Sequence, residues 1–194
     1  MNEAELLRLH VDRDSGLLRE ARLALSPNRD ARPAGTEPDL VVLHNISLPP
    51  GRFGGPYIED FFLNRLDINA DAYFAEIAGL RVSSHLLVRR DGSVVQFVPF
   101  HERAWHAGES QYEGRSRCND FSIGIEMEGT DELPYEEIQY EVVGALVAAL
   151  AEAYPGIDVS RVTGHCHIAP ARKTDPGPAF NWARLRGLLD SYSA

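Results

Sequence analysis

The 194-residue chain has little cysteine, no long apolar run and a shortage of positive charge, and each lack narrows what it can be. Two cysteines, Cys118 and Cys166, allow at most one bridge, too few for a disulfide scaffold, and in a reducing compartment both are expected to stay thiols. No stretch approaches the roughly 18 consecutive apolar residues of a membrane span. The nearest, Val142 to Ala153, is broken by Gly144 and Glu152. Lys and Arg number 19 against 29 Asp and Glu, a net charge of −10, which opposes a sequence-independent grip on nucleic acid phosphates. Acids stand in the first ten residues where an export signal needs a basic start, so the chain is expected in the cytoplasm, with neither nucleic acid nor membrane as partner. Internal repeats and low-complexity tracts are absent, and 44% hydrophobic with 25% charged residues is the composition of an ordinary globular domain.

Residues 1–38, rich in Asp, Arg, Pro and Gly, read as an N-terminal arm or edge segment packed on one domain over 39–190. Val41-Val42-Leu43 has the pattern of a strand buried on both faces, delivering His44 and Asn45 at its end. A long loop follows, Pro49 to Pro56, then short helical patterns over Tyr57 to Leu63 and Ala72 to Leu80. Asp91-Gly92 between Val82 to Arg89 and Ser93 to Val98 predicts a hairpin. Phe121, Ile123, Ile125 and Met127 alternate with Ser122, Gly124, Glu126 and Glu128, so Glu126 faces away from the apolar side. A helix is predicted from Pro134 until Pro155-Gly156 stops it, and a shorter one over Asn181 to Leu189 packs Trp182, Leu185 and Leu189. Strands and helices in this mixed order imply an α/β fold, a sheet covered by helices on at least one face.

The chemistry concentrates in Thr163 to Pro178, where two imidazoles, a thiol, an ammonium and a carboxylate share a stretch whose Gly164, Pro170, Pro176 and Gly177 are expected to rule out a regular helix. Joined by His44 from a distant strand end, His165 and Asp175 would offer two nitrogens and one carboxylate oxygen, the donor set of a catalytic zinc with an open fourth position. The alternative on residue chemistry alone is a pair of loop histidines and a capping aspartate.

His44-Asn-Ile-Ser-Leu-Pro-Pro-Gly51, Phe53-Gly-Gly-Pro-Tyr57, Cys118-Asn-Asp-Phe-Ser-Ile-Gly-Ile-Glu126 with Glu128-Gly-Thr-Asp131, and Gly164-His165 followed by Arg172-Lys-Thr-Asp-Pro-Gly-Pro178 occur in this order. From about Leu17 to Trp182 the chain resembles the zinc N-acetylmuramoyl-L-alanine amidases, a family that includes cytosolic amidases acting on 1,6-anhydro-muropeptides, phage endolysins and peptidoglycan recognition proteins. The resemblance implies their fold, a single domain with a mixed central sheet flanked by helices. It also implies one zinc ion per chain, held by His44, His165 and Asp175. Glu126 and Lys173 would flank the metal as catalytic residues, Glu126 as general base or as a group that positions water, and Lys173 as donor to the oxyanion. The implied substrate is an anhydro-muropeptide, cleaved between the lactyl group and L-alanine during peptidoglycan recycling. Its stem would be met by Arg81 and Arg117, its sugar by Trp105 and its peptide backbone by Asn45, with the chain acting as a monomer.

The chain departs from the family at His167, where Asp is usual; an imidazole there either alters the surroundings of His165 or competes as a ligand. Cys166, expected in strand-like backbone to point opposite to His165 and His167, is read as a buried thiol, as is Cys118. His10, His85, His101 and His106 are read as structural, with His106 beside Trp105 placed to line the cleft. Glu128 is open between an orienting role and a solvated charge. Two other readings are a noncatalytic peptidoglycan-binding module and a lysin-type amidase acting on intact wall; the three filled ligand positions favour catalysis over the first.

Overall fold

A computed structural model describes residues 6–193 and builds the fold from short elements. In chain order the strands are β1 (Val11–Asp12), β2 (Leu17–Leu18), β3 (Arg22–Leu23), β4 (Arg29–Ala31), β5 (Leu40–Ile46), β6 (Leu86–Val88), β7 (Val94–Gln96), β8 (Glu102–Ala104), β9 (Gln111–Tyr112), β10 (Arg115–Ser116), β11 (Ser122–Glu128) and β12 (Val162–Gly164). The helices are α1 (Tyr57–Phe62), α2 (Phe74–Ile77), α3 (Glu137–Ala153), α4 (His165–Ile168) and α5 (Trp182–Ser193). One mixed sheet in the order β12-β5-β11-β6-β7-β3 carries the domain, and the other strands form two-stranded ribbons around it.

The centre of the sheet follows from two runs that can be buried on both faces. Val41, Val42 and Leu43 have no solvent exposure, and β5 pairs in parallel with β11 over seven residues, setting His44 opposite Glu126. Leu43, Ile123, Ile125 and Met127 lie on the face covered by α3 and α5, with Val143, Leu146 and Leu185. On the other face Leu40 and Val42 meet Ala107, Cys118 and Ile168. Farther along the sheet, Leu87 and Phe97 pack against α1 and α2 through Phe62 and Phe74. Helices thus cover both faces.

Most expected elements form, with shorter ends. The hairpin is β6 and β7, antiparallel, and Gly92 in its turn takes φ +82°. α3 starts at Glu137 rather than Pro134, because Glu136 stays extended as its N-cap and its N–H is bound by the Gln139 side chain. α5 runs four residues beyond Leu189, to Ser193. Phe121 departs from the alternation: its ψ of 8° turns it out of register with Ile123, and it joins Leu40, Val42 and Cys118 on the opposite face. The stretch expected to exclude helix contains α4, one turn long. Gly164 and Pro170 flank that turn and do not interrupt it.

The segment read as an arm supplies β3 at the edge of the sheet, Leu18 to the core and β4 as a partner of β8. Arg32, from the same segment, is buried, and its guanidinium donates to the carbonyls of Phe100, Asn119, Asp120 and Ser122. Those contacts seat it under the loop that leads into β11. Burial pushes its pKa down to about 10, which still leaves it a cation at neutral pH. Among the described residues no helix is long and apolar enough to cross a membrane.

Candidate active site

Three donors converge where the chain leaves β5 and β12. His44 sits near the end of β5, His165 is the first residue of α4, and Asp175 is brought back by its own carbonyl, which accepts the N–H of Cys166 at 2.9 Å. His44 Nδ1, His165 Nδ1 and Asp175 Oδ2 are mutually 3.0 Å apart. The two imidazoles are 2% and 3% exposed. This is the one group of three metal-competent side chains among the described residues.

The set fits a divalent cation. Atoms at these spacings lie on a circle of radius about 1.7 Å, inside the ~2.0–2.2 Å typical of zinc to nitrogen or carboxylate oxygen, so one ion could be held by all three. Protonation states agree. Burial pushes His44 down to about 4, with Asp175 only partly opposing it, so its imidazole is neutral. Burial draws Asp175 upward, but the two imidazoles beside it, His165 and His44, prevail and hold the carboxyl well below its ordinary range. A neutral imidazole beside an ionised carboxylate is what metal binding requires.

Glu126 faces this group from β11. It is 9% exposed, and its Oε2 is buried without a hydrogen-bond partner. Burial, reinforced by the Asp175 charge, raises its pKa well above the ordinary 4.5. An orphaned carboxylate oxygen aimed at a polar cavity is suited to hold water or take a proton. Lys173 lines the same cavity of about 570 Å³, and no described residue pairs with its ammonium. It is also the only lysine of the 194 residues, the other cations being arginines.

The remaining sequence-predicted residues are placed less uniformly. Asn45 lines the cavity and donates to Asp131 at 2.7 Å. Arg81, Trp105 and Arg117 are not among the lining residues. Arg81 bonds the carbonyls of Ala78 and Leu80, Arg117 pairs with Asp120, and the Trp105 side chain bonds Asp30, whose main partner is Arg103. His167 lies outside the metal-competent group; its Nδ1 faces the N–H of Gly164 and the hydroxyl of Thr163, capping α4. Cys166, on a helical turn instead of a strand, does not alternate with its neighbours and is half-buried. Glu128 is neither solvated nor directed at the metal-competent group: it is 2% exposed, paired with Arg89, and accepts the N–H of Gly54 from the long loop.

His106, read from sequence as structural with a place beside Trp105 at the cleft, lines the cavity. Its Nδ1 lies 2.9 Å from His44 Nε2, a contact between residues 62 positions apart for which the sequence holds no signal.

The pattern of the N-acetylmuramoyl-L-alanine amidases matches residues 34–178, a span holding all three converging donors, Glu126 and Lys173. The chain belongs to that family. This amidase is 60% identical over 180 residues to the 1,6-anhydro-N-acetylmuramyl-L-alanine amidase AmpD of Citrobacter freundii, covering 93% of this chain and 96% of that protein. A crystal structure of a selenomethionine AmpD derivative superposes with a TM-score of 0.89 at 59% identity, over 92% of this amidase and 98% of that chain. The amidase AmiD of Escherichia coli, solved with its substrate anhydro-N-acetylmuramic acid-L-Ala-D-γ-Glu-L-Lys, superposes at 0.56 with 31% identity, over 81% of this chain and 60% of that one.

Proposed function

We propose that this amidase hydrolyses the amide joining the lactyl group of 1,6-anhydro-N-acetylmuramic acid to L-alanine, with His44, His165 and Asp175 holding one zinc ion. The observation that carries this reading is the triangle of 3.0 Å donors beside the unpartnered Glu126 carboxylate. The likeness to AmpD over nearly the whole of both chains supports the choice of substrate.

The chemistry zinc supplies when bound is Lewis acidity, which polarises the carbonyl and acidifies water. Glu126 takes the proton of the attacking water and returns it to the leaving amine, a transfer its raised pKa favours. Lys173 donates to the oxyanion as the carbonyl carbon becomes tetrahedral. Asn45 meets the peptide backbone from inside the cavity, and Arg81, next to the lining residues Leu80 and Val82, meets the stem carboxylates at its rim. Trp105 and Arg117 contact sugar and stem only by leaving Asp30 and Asp120. We assign the enzyme to the cytoplasm, as a monomer working on recycled muropeptides.

The test is mass-spectrometric detection of free stem peptide from a defined 1,6-anhydro-muramyl tripeptide, from its reducing-end counterpart and from intact sacculi. Preferred cleavage of the anhydro form is expected. Preferred cleavage of sacculi would make the enzyme a lysin, and tight binding of the tripeptide without cleavage would make it a binding module.

A further inference from the structure

Both histidines of the candidate centre turn Nδ1 inward and commit Nε2 to the same dipeptide, His106-Ala107. His165 Nε2 lies 3.1 Å from the Ala107 carbonyl, and His44 Nε2 lies 2.9 Å from His106 Nδ1. A carbonyl oxygen only accepts, so His165 carries its proton on Nε2 and keeps a lone pair on Nδ1.

For His44 the same conclusion follows through two further links. The Ser122 hydroxyl donates to the Cys118 carbonyl at 2.6 Å, which uses its single proton. His106 Nε2, 3.2 Å from that hydroxyl oxygen, can therefore only donate to it, and His106 Nδ1 is left as an acceptor. The group facing that acceptor is His44 Nε2, which must be the donor. The chain of donors from His44 through His106 and Ser122 ends on a backbone carbonyl, just as the bond from His165 does. Under these tautomers three acceptor atoms face one another at 3.0 Å with no proton between them, an arrangement that a cation relieves.

The structure holds the dipeptide for this purpose. Asn119 Oδ1 accepts both the His106 and the Ala107 N–H, at 3.1 and 2.8 Å. Gly124 leaves room for the ring, since a Cβ there would lie 2.5 Å from it. Ser122, Gly124 and Glu126 alternate along one face of β11, so one strand face anchors the relay, admits the imidazole and presents the carboxylate.

We infer that His106 is a positioning residue which, through Ser122 and the Cys118 carbonyl, presets the tautomer in which His44 presents Nδ1 to the metal. The inference rests on the zinc-amidase reading and adds to it a residue that acts on the metal through His44. Partners of this kind typically change metal affinity 10–100-fold when removed.

Two measurements test it. Zinc affinity of metal-free protein, by competition with a chromogenic chelator, is expected to weaken about 10–100-fold in His106→Leu and to be partly restored in His106→Asn, whose amide oxygen again offers an acceptor. Long-range ¹⁵N–¹H correlation spectra of the zinc-loaded wild type are expected to show Nε2–H tautomers at His44, His106 and His165, a readout that does not depend on any variant folding. Unchanged zinc affinity in a folded His106→Leu, or an Nδ1–H tautomer at His106, overturns the inference while leaving the zinc centre standing. Wild-type protein that takes up no zinc overturns both.

Discussion

Replacing Glu126 by Gln should make the metal-free protein more stable while removing most of its activity. The carboxylate is 9% exposed, one oxygen has no partner, and Asp175 repels its charge. Leaving a buried polar group unsatisfied costs about 1–3 kcal/mol, more for a charge, so exchanging the ion for an amide of the same shape should recover about 1–3 kcal/mol at neutral pH. At roughly 2–4 °C per kcal/mol for a domain of this size, the melting temperature should rise by about 2–12 °C. The sign with pH follows from linkage. The folded-state pKa of Glu126 lies above the unfolded value of 4.5, so the folded state binds the extra proton, and wild-type stability falls as pH rises from 4.5 through the folded pKa. Gln does not titrate, so the gap between variant and wild type should be small at pH 5 and wide at pH 8. Thermal unfolding of chelator-treated protein at both pH values reads it, and kcat of the zinc-loaded variant should fall about 10²–10⁴-fold. A variant less stable than wild type at pH 8, or a gap equal at both pH values, would refute the reasoning.

The other expected outcomes separate the roles of neighbouring groups. Asp175→Ala should lose zinc by elemental analysis, whereas Lys173→Met should keep it and lose about 2.7–4 kcal/mol of transition-state stabilisation in kcat; equal zinc loss in both would merge the two roles. His167→Asp should retain the cap on α4, since a carboxylate also accepts the Gly164 N–H, whereas His167→Leu should cost about 0.5–2 kcal/mol in denaturant unfolding. Arg89→Ala leaves the buried Glu128 carboxylate without its ion-pair partner and should destabilise by about 3–5 kcal/mol, measured the same way.

The sheet was legible where one local rule dominates. Val41 to Leu43 has the pattern of a doubly buried strand, Asp91-Gly92 favours a turn, and Ile123, Ile125 and Met127 alternate as a pleat demands. α4 was not legible, because four residues make barely one helical turn, too few for a periodic pattern to repeat, and the glycine and proline beside it dominate the pattern. Phe121 was misassigned because its face depends on a single ψ, at the end of the 3₁₀ turn Cys118–Asp120. At the site, nothing local joins His44 to His165, 121 residues away; family resemblance joined them, and the structure brings their nitrogens to 3.0 Å. The functions of Glu128, His167 and His106 depend on partners that only the folded chain supplies, such as Arg89, Gly164 and Ser122. Arg32 follows the same logic: in sequence it is one arginine of a polar arm, and in the fold it is a buried cation held by backbone carbonyls.

The proposed zinc centre of His44, His165 and Asp175, two buried imidazoles and a half-buried carboxylate, is expected to be essential for amide hydrolysis. Elemental analysis of the purified protein, combined with cleavage of an anhydro-muramyl tripeptide before and after chelation, tests it most directly. One equivalent of zinc per chain, with cleavage abolished by chelator and restored by zinc, is the expected result. Cleavage that persists at full rate in protein stripped of metal would contradict it.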